Sequence, residues 1–303
     1  MKIRYLKNNE IDIDLWDACV RQSLQGFPYA YSFYLNVVAP NYSAIVLNNY
    51  EAILPLPTKK KFGIEYVYYP LLCQQLGVIS TIKLSKVVVD KMVNTIPAKI
   101  KYINYCVSDK LFDDGSFLPK NNYIIHLNQP YSNILANYKY NKRREIKIAL
   151  KNEPQIVTNI EASAIVALMR QTYNIDNSVL SVKDYTILEK LLNVLTKQKL
   201  GVALGVLNKN KGLDAVIYCV KTEQRIINLV NASTGFGKKN GWMAVLIDHI
   251  IKQHSNTNYV FDFEGSNIPS VAHFFKNFGS EKTVYYNWLW NRLPFPFKYF
   301  KPS

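Results

Sequence analysis

Two acidic residues near the C-terminus offer the clearest chemistry in this chain. In the segment NYVFDFE, one residue separates Asp262 from Glu264, and a strand would place both carboxylates on one face, about 7 Å apart. At that distance one carboxylate raises the pKa of the other when both are partly buried. Such a group could serve as the general base for an amine nucleophile. The alternative is a pair of acids that bridge basic neighbours.

A glycine- and lysine-rich segment is the second candidate site. Residues 233–241 read STGFGKKNG and lead into a helical pattern at Trp242–Gln253. Glycines and free N–H groups at a helix start suit a phosphate, and lysines add positive charge there. The pattern is neither a dinucleotide fingerprint nor a nucleotide triphosphate loop. The residues predicted to contact an anionic ligand are Ser233, Thr234, Gly235, Gly237, Lys238, Lys239, Asn240 and Gly241.

A strongly basic helix is predicted at residues 138–151, YKYNKRREIKIALK. Its single acid is Glu145, and Ile146, Ala149 and Leu150 recur at helical spacing to give one apolar seam below a cationic outer face. Arg143 and Arg144 are the members best suited to hold a substrate phosphate, because a guanidinium makes two-point contacts. The alternative is an ordinary solvated helix face.

The patterns around these candidates predict a mixed α/β protein. Strands are predicted at 43–56 (two strands around an Asn-Asn turn), 65–69, 100–107, 123–127, 200–207, 213–220, 225–232, 258–264 and 283–290. Helices are predicted at 84–96, 138–151, 162–173, 185–195, 242–253 and after Pro269. Residues 58–63, TKKKFG, are expected to form an exposed basic loop. Ser266 or Asn267 is expected to cap the last helix, Gly279 to end it, and His249 to lie on an apolar helix face.

Composition narrows the class of protein. The 303 residues include 37 Lys and Arg against 22 Asp and Glu, a formal net charge of +15, which draws a protein toward RNA, an anionic membrane face or a phosphate-rich small molecule. A hydrophobic fraction of 49% excludes wholesale disorder. The four cysteines and four histidines have no metal-site spacing, so thiols and no metal are expected. Without a secretory signal or a membrane-spanning run, a cytoplasmic protein is expected.

The segment YVFDFEGSNIPSVAHFFKNFGSEKTVYY resembles the C-terminal signature of the Fem-type peptidoglycan aminoacyltransferases, the FemAB-like branch of the GNAT acyltransferase superfamily. In that signature a D-F-x-G turn precedes a helix with F-K-x-x-F-G. The basic helix at 138–151 is similar to the family's Arg-rich helix. The order of antiparallel strands, phosphate loop, helix, strand, helix and last strand is that of the GNAT fold.

This resemblance implies two GNAT-like halves in tandem, at 1–137 and 138–303, the second carrying the donor loop and the D-F-E-G turn. Residues 233–241 would hold the pyrophosphate of a coenzyme A donor. Lys276, at the family's F-K-x-x-F position, would contact a phosphate or the developing oxyanion, and Asp262 and Glu264 would be the catalytic acids. The chain would then be an enzyme, an N-acyltransferase that moves an acyl group from acyl-CoA to an amine acceptor.

Two other functions stay open at this point. Fem-type members transfer an aminoacyl group from tRNA to a peptidoglycan precursor, but this chain lacks the coiled-coil arm with which some of them hold tRNA. The other alternative is a non-catalytic basic module that binds nucleic acid or a membrane. The tail LWNRLPFPFKYFKPS mixes aromatic and basic residues, which suits peripheral membrane contact. DNA is not an expected partner, because no DNA-binding motif appears.

Overall fold

Strands alternate with helices along the chain, as the sequence predicts. The structure is a computed structural model that describes residues 1–112, 115–173 and 180–300. Its strands are β1 (Ile3–Lys7), β2 (Tyr42–Leu47), β3 (Ala52–Lys61), β4 (Ile64–Val67), β5 (Ile79–Ser80), β6 (Ile100–Val107), β7 (Phe117–His126), β8 (Ile156–Thr158), β9 (Gly201–Leu207), β10 (Leu213–Lys221), β11 (Arg225–Ser233), β12 (Val260–Asp262) and β13 (Glu281–Asn291). Its helices are α1 (Ile13–Arg21), α2 (Ser32–Val38), α3 (Lys86–Asn94), α4 (Tyr131–Asn137), α5 (Tyr140–Lys151), α6 (Ala162–Tyr173), α7 (Val182–Lys197), α8 (Gly235–Lys239), α9 (Trp242–Gln253) and α10 (Pro269–Lys276). The predicted mixed α/β class is confirmed.

The first of two compact units comprises Met1–Lys120 and Val284–Ser303. Its strands lie in the order β1-β2-β3-β4-β6-β13, and β5 pairs with β3. Neighbouring strands are antiparallel apart from β4 and β6, which are parallel. Large aromatic side chains, among them Trp16, Tyr105 and Trp288, are fully buried in this unit, so it has a hydrophobic core of its own.

The second unit comprises Asn121–Thr283. Its strands lie in the order β7-β12-β11-β10-β9-β8, and β11 and β12 are the parallel pair. A parallel pair needs a crossover between its strands, and α9 supplies it with buried Trp242, Val245 and Ile250. Phe261, Phe263 and other aromatic side chains complete the core beneath α10.

Both units have the same strand layout. A run of antiparallel strands leads to a parallel pair joined through a helix, α3 in the first unit and α9 in the second, and an antiparallel strand follows the pair. That last strand comes from the other half of the chain in each case, since β13 pairs with β6 and β7 pairs with β12. The fold is therefore two GNAT-like halves in tandem. The division at residues 137 and 138 stays a prediction.

Two expectations for exposed basic segments are wrong in detail. Residues 58–61 belong to β3 and pair with β4, so 58–63 forms the end of a hairpin and not a loop. In α5 the buried positions are Lys142, Ile146 and Ala149, whereas Leu150 is 50% exposed. A lysine therefore completes the buried seam in place of the predicted leucine.

Near the predicted site, three element boundaries differ from the sequence prediction. Residues 235–239 form the short helix α8 and not an open loop, because Thr234 caps them. The strand at 258–264 ends at Asp262, since Glu264 has a φ of 59°. Ile268, and neither Ser266 nor Asn267, is the N-cap of α10.

One histidine also differs from its prediction. His249 is exposed on α9, although it was expected on an apolar face. The helix is buried on nearly every side over its first two turns and opens to solvent at residues 249, 252 and 253. Burial of a residue in α9 therefore depends on its position along the helix as well as on the face it occupies.

Gly279, which ends α10 as predicted, provides a test of the fold. Its φ is 69°, and a Cβ there would overlap the backbone of Asn137. We expect Gly279→Ala to lower the free energy of unfolding by about 3 kcal/mol, from the left-handed conformation and the overlap together. Gly63→Ala is the matched control, because Gly63 has a φ of 76° with nothing within 4 Å, and it should cost about 1 kcal/mol. Equal losses in urea denaturation would contradict the predicted overlap.

Candidate functional site

The candidate site begins where β11 parts from its parallel neighbour. The two strands are in register only from Arg225 to Ile227 on β11, opposite Val260 to Asp262 on β12. The register between β10 and β11 then shifts, so that Leu229 is an extra residue on β11. A bulge of this kind bends a strand and re-aims its side chains. The last residues of β11 are thereby left beside an opening in the sheet.

A cavity of about 440 Å³ occupies this opening. We call it the donor cavity; it is lined by the end of β11 and by residues of α5, α6, α8, α9 and α10. Its volume lies in the range of small-molecule sites. Four of the residues predicted from the sequence line it, namely Ser233, Gly237, Lys238 and Gly241.

Thr234 fixes the backbone where β11 leads into α8. Its Oγ1 accepts a hydrogen bond from the N–H of Gly237 at 3.0 Å and donates one to Oδ1 of Asp214 at 2.9 Å. A Cβ on Gly237 would overlap the carbonyl oxygen of Asp214. Gly241, with a φ of 70°, is the N-cap of α9. Thr234 therefore supports the site, Gly237 lets α8 pass close to the backbone of β10, and Gly241 allows the left-handed conformation before α9.

The remaining predicted residues of 233–241 lie outside the lining. Asn240 donates to the carbonyl of Phe236 at 2.9 Å and accepts from Asn152 at 3.2 Å. Lys239 is exposed, and a Cβ on Gly235 would meet open space. Donor contacts from these three residues and from Thr234 stay predictions.

Ser233 places an unpaired polar atom at the donor cavity. Its side chain is buried, and its Oγ has no hydrogen-bond partner among the described residues. A buried hydroxyl without a partner costs free energy, because it has lost its hydrogen bonds to water. A ligand in the cavity could restore that bond.

An ion pair between buried Lys142 and partly exposed Glu145 forms the opposite wall, and the sequence analysis did not anticipate it. Nζ of Lys142 lies 2.7 Å from Oε2 of Glu145, with the lysine side chain 2% exposed and the glutamate 39%. The same Nζ lies 3.9 Å from the centre of the Phe274 ring and 4.8 Å from that of Phe278. Burial lowers the pKa of Lys142, and Glu145 opposes that effect. Glu145 and Phe274 both line the donor cavity.

Glu145 also lies against the start of α9. A Cβ on Gly241 would be 3.3 Å from Oε1 of Glu145, so the carboxylate occupies the positive end of the helix dipole. The signal in the sequence was that Glu145 is the single acid of a basic helix, three residues after Lys142. Spacing alone does not reveal that the lysine of this pair is buried.

Asp262 is buried and fully engaged. Its side chain is 1% exposed; Oδ2 accepts from Arg225 at 3.0 Å, and Oδ1 accepts from Asn122 at 3.0 Å and from the N–H of Glu264 at 2.9 Å. Burial raises the pKa of Asp262, while Arg225 and the two N–H donors counteract the rise. These contacts suit a carboxylate that positions strands.

The other predicted residues are accessible to different degrees. Glu264 is partly buried in the turn after β12. Lys276 is exposed on α10, with Nζ 5.8 Å from the centre of the Tyr123 ring. Arg143 and Arg144 are exposed on α5, the helix that also carries Glu145. Their roles in catalysis and substrate binding stay predictions.

Metal and membrane features can be stated for the described ranges 1–112, 115–173 and 180–300. There, no group of three His, Cys, Asp or Glu side chains is arranged to hold a metal ion. No helix in those ranges is long and apolar enough to cross a membrane. The four cysteines are buried thiols, and burial raises the pKa of Cys106 to about 11.

Comparison with solved structures shows the fold. FemX superposes with a TM-score of 0.72 at 10% identity, over 96% of this chain and 98% of FemX. The chain has the FemX fold. L-PGS from Bacillus licheniformis gives 0.59 at 10% identity over 94% of both chains. A conserved protein of unknown function from Bacteroides thetaiotaomicron VPI-5482 gives 0.60 at 11% identity, over 92% of this chain and 98% of its own.

Sequence comparison gives no such match. No family model matches the chain, and no curated protein matches it. The resemblance to the FemAB-like branch is confirmed at the level of the fold, since FemX shares nearly the full length. At 10% identity, FemX shows the fold of this chain but not the roles of its residues. Those roles must be argued from the geometry of the site itself.

The Lys142–Glu145 pair predicts a pH dependence of stability. Because burial lowers the pKa of Lys142 below its ordinary value of 10.5, the unfolded chain holds more protons between the folded pKa and 10.5. The free energy of unfolding therefore rises with pH across that window. We expect wild type to gain stability relative to Lys142→Met as the pH rises toward 10.5, in urea denaturation at a series of pH values.

A second lysine on the same helix controls for this measurement. Lys147 is exposed on α5, so Lys147→Met removes one lysine from the helix without disturbing the buried pair. If wild type and Lys142→Met gave parallel curves over the whole range, the assignment of the burial cost to Lys142 would be wrong.

Proposed function

We propose that the protein is an N-acyltransferase that moves an acyl group from an acyl-CoA-type donor, bound in the donor cavity, to an amine acceptor. The observation that carries this proposal is the cavity at the bulge of β11, with the glycine backbone of α8 and α9, Lys238 and the unpaired Ser233 hydroxyl along its wall. The fold shared with FemX supports it. The amine acceptor and the acyl group are left open by this chemistry.

The transfer needs few groups from the protein. The acceptor nitrogen attacks the carbonyl carbon of the thioester, a C–N bond forms, the C–S bond breaks and the thiolate leaves. One proton must leave the nitrogen, and Glu145 is the carboxylate that lines the cavity to receive it. N–H donors or Ser233 would stabilise the oxyanion. Holding the amine against the carbonyl supplies much of the acceleration.

The residues predicted from the sequence have distinct places in this proposal. Lys238 would contact donor phosphate at the cavity, and Arg143 and Arg144 would hold an anionic part of the acceptor. Lys276 would contact a phosphate or the oxyanion. For Asp262 we propose that it positions β11 and β12, because its buried carboxylate already accepts three hydrogen bonds.

Adjacent lysines provide a matched test of the donor site. Lys238 lines the cavity and Lys239 does not, although both lie at the end of α8. We expect Lys238→Gln to weaken acyl-CoA binding about tenfold, the loss of one charge-assisted phosphate contact, and Lys239→Gln to change it by less than about twofold. Calorimetric titration with acetyl-CoA, octanoyl-CoA and palmitoyl-CoA measures this. Wild-type protein that binds none of the three would contradict an acyl-CoA donor.

A second candidate is transfer of an aminoacyl group, and Glu145 is the observation that favours it. Its carboxylate stands beside Gly241 at the start of α9, where a pyrophosphate would otherwise meet the helix dipole. A carboxylate repels phosphate and attracts an ammonium group. In an aminoacyl donor, an α-ammonium group next to the reacting carbonyl could pair with it.

Glu145→Gln separates the two donors. For an aminoacyl-tRNA donor we expect the variant to bind aminoacyl-tRNA about tenfold more weakly than wild type, with uncharged tRNA unaffected, because one ion pair is lost. For an acyl-CoA donor, thioester affinity should hold or rise, because a charge that repels phosphate is lost, while kcat falls by about a hundredfold or more through loss of the base. Filter binding and steady-state kinetics measure these. Unchanged binding and turnover with both donors would remove Glu145 from the site.

A further inference from the structure

The hairpin between β3 and β4 has an unusual residue at its tip. Lys61 pairs with Ile64, so Phe62 and Gly63 form a two-residue loop. Their φ angles are 49° and 76°, as a type I′ turn requires. The first position of that turn favours Asn, Asp or Gly, because a side chain with φ above zero is strained. Here the position holds phenylalanine.

Burial does not offset this strain, and the ring contact that the described residues provide is a distant one, with Nζ of Lys61 5.4 Å from the centre of the Phe62 ring. The Phe62 side chain is 79% exposed, so its ring gains little from burial. Tyr50 provides the contrast: with a φ of 62°, it is 6% exposed and its hydroxyl accepts the N–H of Asp12 at 2.7 Å. In Tyr50, packing and a hydrogen bond compensate for the backbone. The described residues give Phe62 no comparable packing, so a partner that buries the ring would provide it.

The charge beside Phe62 indicates what that partner is. Lys59, Lys60 and Lys61 directly precede it, and Nζ of Lys59 lies 3.9 Å from the centre of the Tyr68 ring. The nearest acid on β4, Glu65, forms an ion pair with Lys99 at 2.9 Å. Glu65 lies opposite Lys60 across the hairpin, so a single acid faces three lysines and the tip keeps a net positive charge. A projecting aromatic ring beside a cationic cluster suits an interface that is both apolar and negatively charged.

We propose that the tip of this hairpin, residues 59–63, docks on an anionic lipid bilayer. The Phe62 ring enters the boundary between headgroups and acyl chains, and the lysines lie among the anionic headgroups. A nucleic acid would also attract the lysines. Single-stranded nucleic acid is bound in grooves where bases stack on successive aromatic rings, whereas Phe62 is a single ring at a projecting tip. The bilayer therefore fits better. This surface lies in the first unit and does not depend on the donor cavity.

Flotation of the full chain with lipid vesicles tests the proposal. We expect wild type to float with vesicles of phosphatidylcholine and phosphatidylglycerol and not with phosphatidylcholine alone. Phe62→Asn should weaken binding about tenfold or more while leaving the melting temperature equal or higher, because Asn suits the turn. Lys60→Gln with Lys61→Gln should weaken it about 25-fold, at about fivefold for each lysine. Weaker flotation at an unchanged or higher melting temperature distinguishes loss of docking from a folding defect.

A second lysine-bearing hairpin serves as the control. Lys209 and Lys211 are exposed in the turn between β9 and β10, so replacing both with Gln removes the same charge from another place. That variant should float as wild type does. Wild type that fails to float overturns the proposal, as does a Phe62→Asn protein that floats undiminished or a control that loses as much. If wild type instead shifts tRNA in a gel without floating, and Lys60→Gln with Lys61→Gln abolishes the shift, the hairpin binds nucleic acid and the bilayer proposal is wrong.

Discussion

The carboxylate of Asp262 ties three strands together at the point where the donor cavity begins. It accepts hydrogen bonds from Arg225 on β11 and Asn122 on β7, and it lies at the end of β12. A buried carboxylate is stable only when such partners surround it. The contact with Arg225 therefore holds β11 to β12 where the two strands pair. Beyond it the strands are free to part. The paired stretch of β11 and β12 therefore ends beside this ion pair, and the bulge at Leu229 follows on β11 before the residues that line the cavity.

Charge in the second unit is divided between surface and cavity. Arg143 and Arg144 are exposed on α5, where they contribute to the field that an approaching polyanion meets. The donor cavity has a more balanced wall, with Lys238 on one side and Glu145, paired with Lys142, on the other. The net charge of +15 therefore bears on which partners approach the protein. What binds in the cavity depends on the few groups that line it.

Much of the fold follows from local patterns, whereas the site does not. The order of elements from β9 to β13, apart from the short helix α8, and the left-handed glycine after α10 could be read from spacing and residue type, whereas β1, α1, α2, α4 and β8 were not predicted. Burial of Lys142 could not, because it depends on Phe274 and Phe278, more than a hundred residues away. Asp262 shows the same limit. A strand pattern places it next to Glu264, but only tertiary contacts bring its carboxylate to Arg225.

The repeated strand layout need not mean a repeated site. In the second unit, the connection from β11 to α9 is glycine- and lysine-rich and begins at an unpaired serine. In the first unit, residues 68–85 connect β4 to α3. Their sequence, YYPLLCQQLGVISTIKLS, has one glycine and one lysine. The first unit therefore need not repeat the glycine-rich phosphate cradle proposed for the second. Its lysine-rich hairpin places Phe62 at a turn position that favours Asn, Asp or Gly, which is a departure from what the turn alone requires.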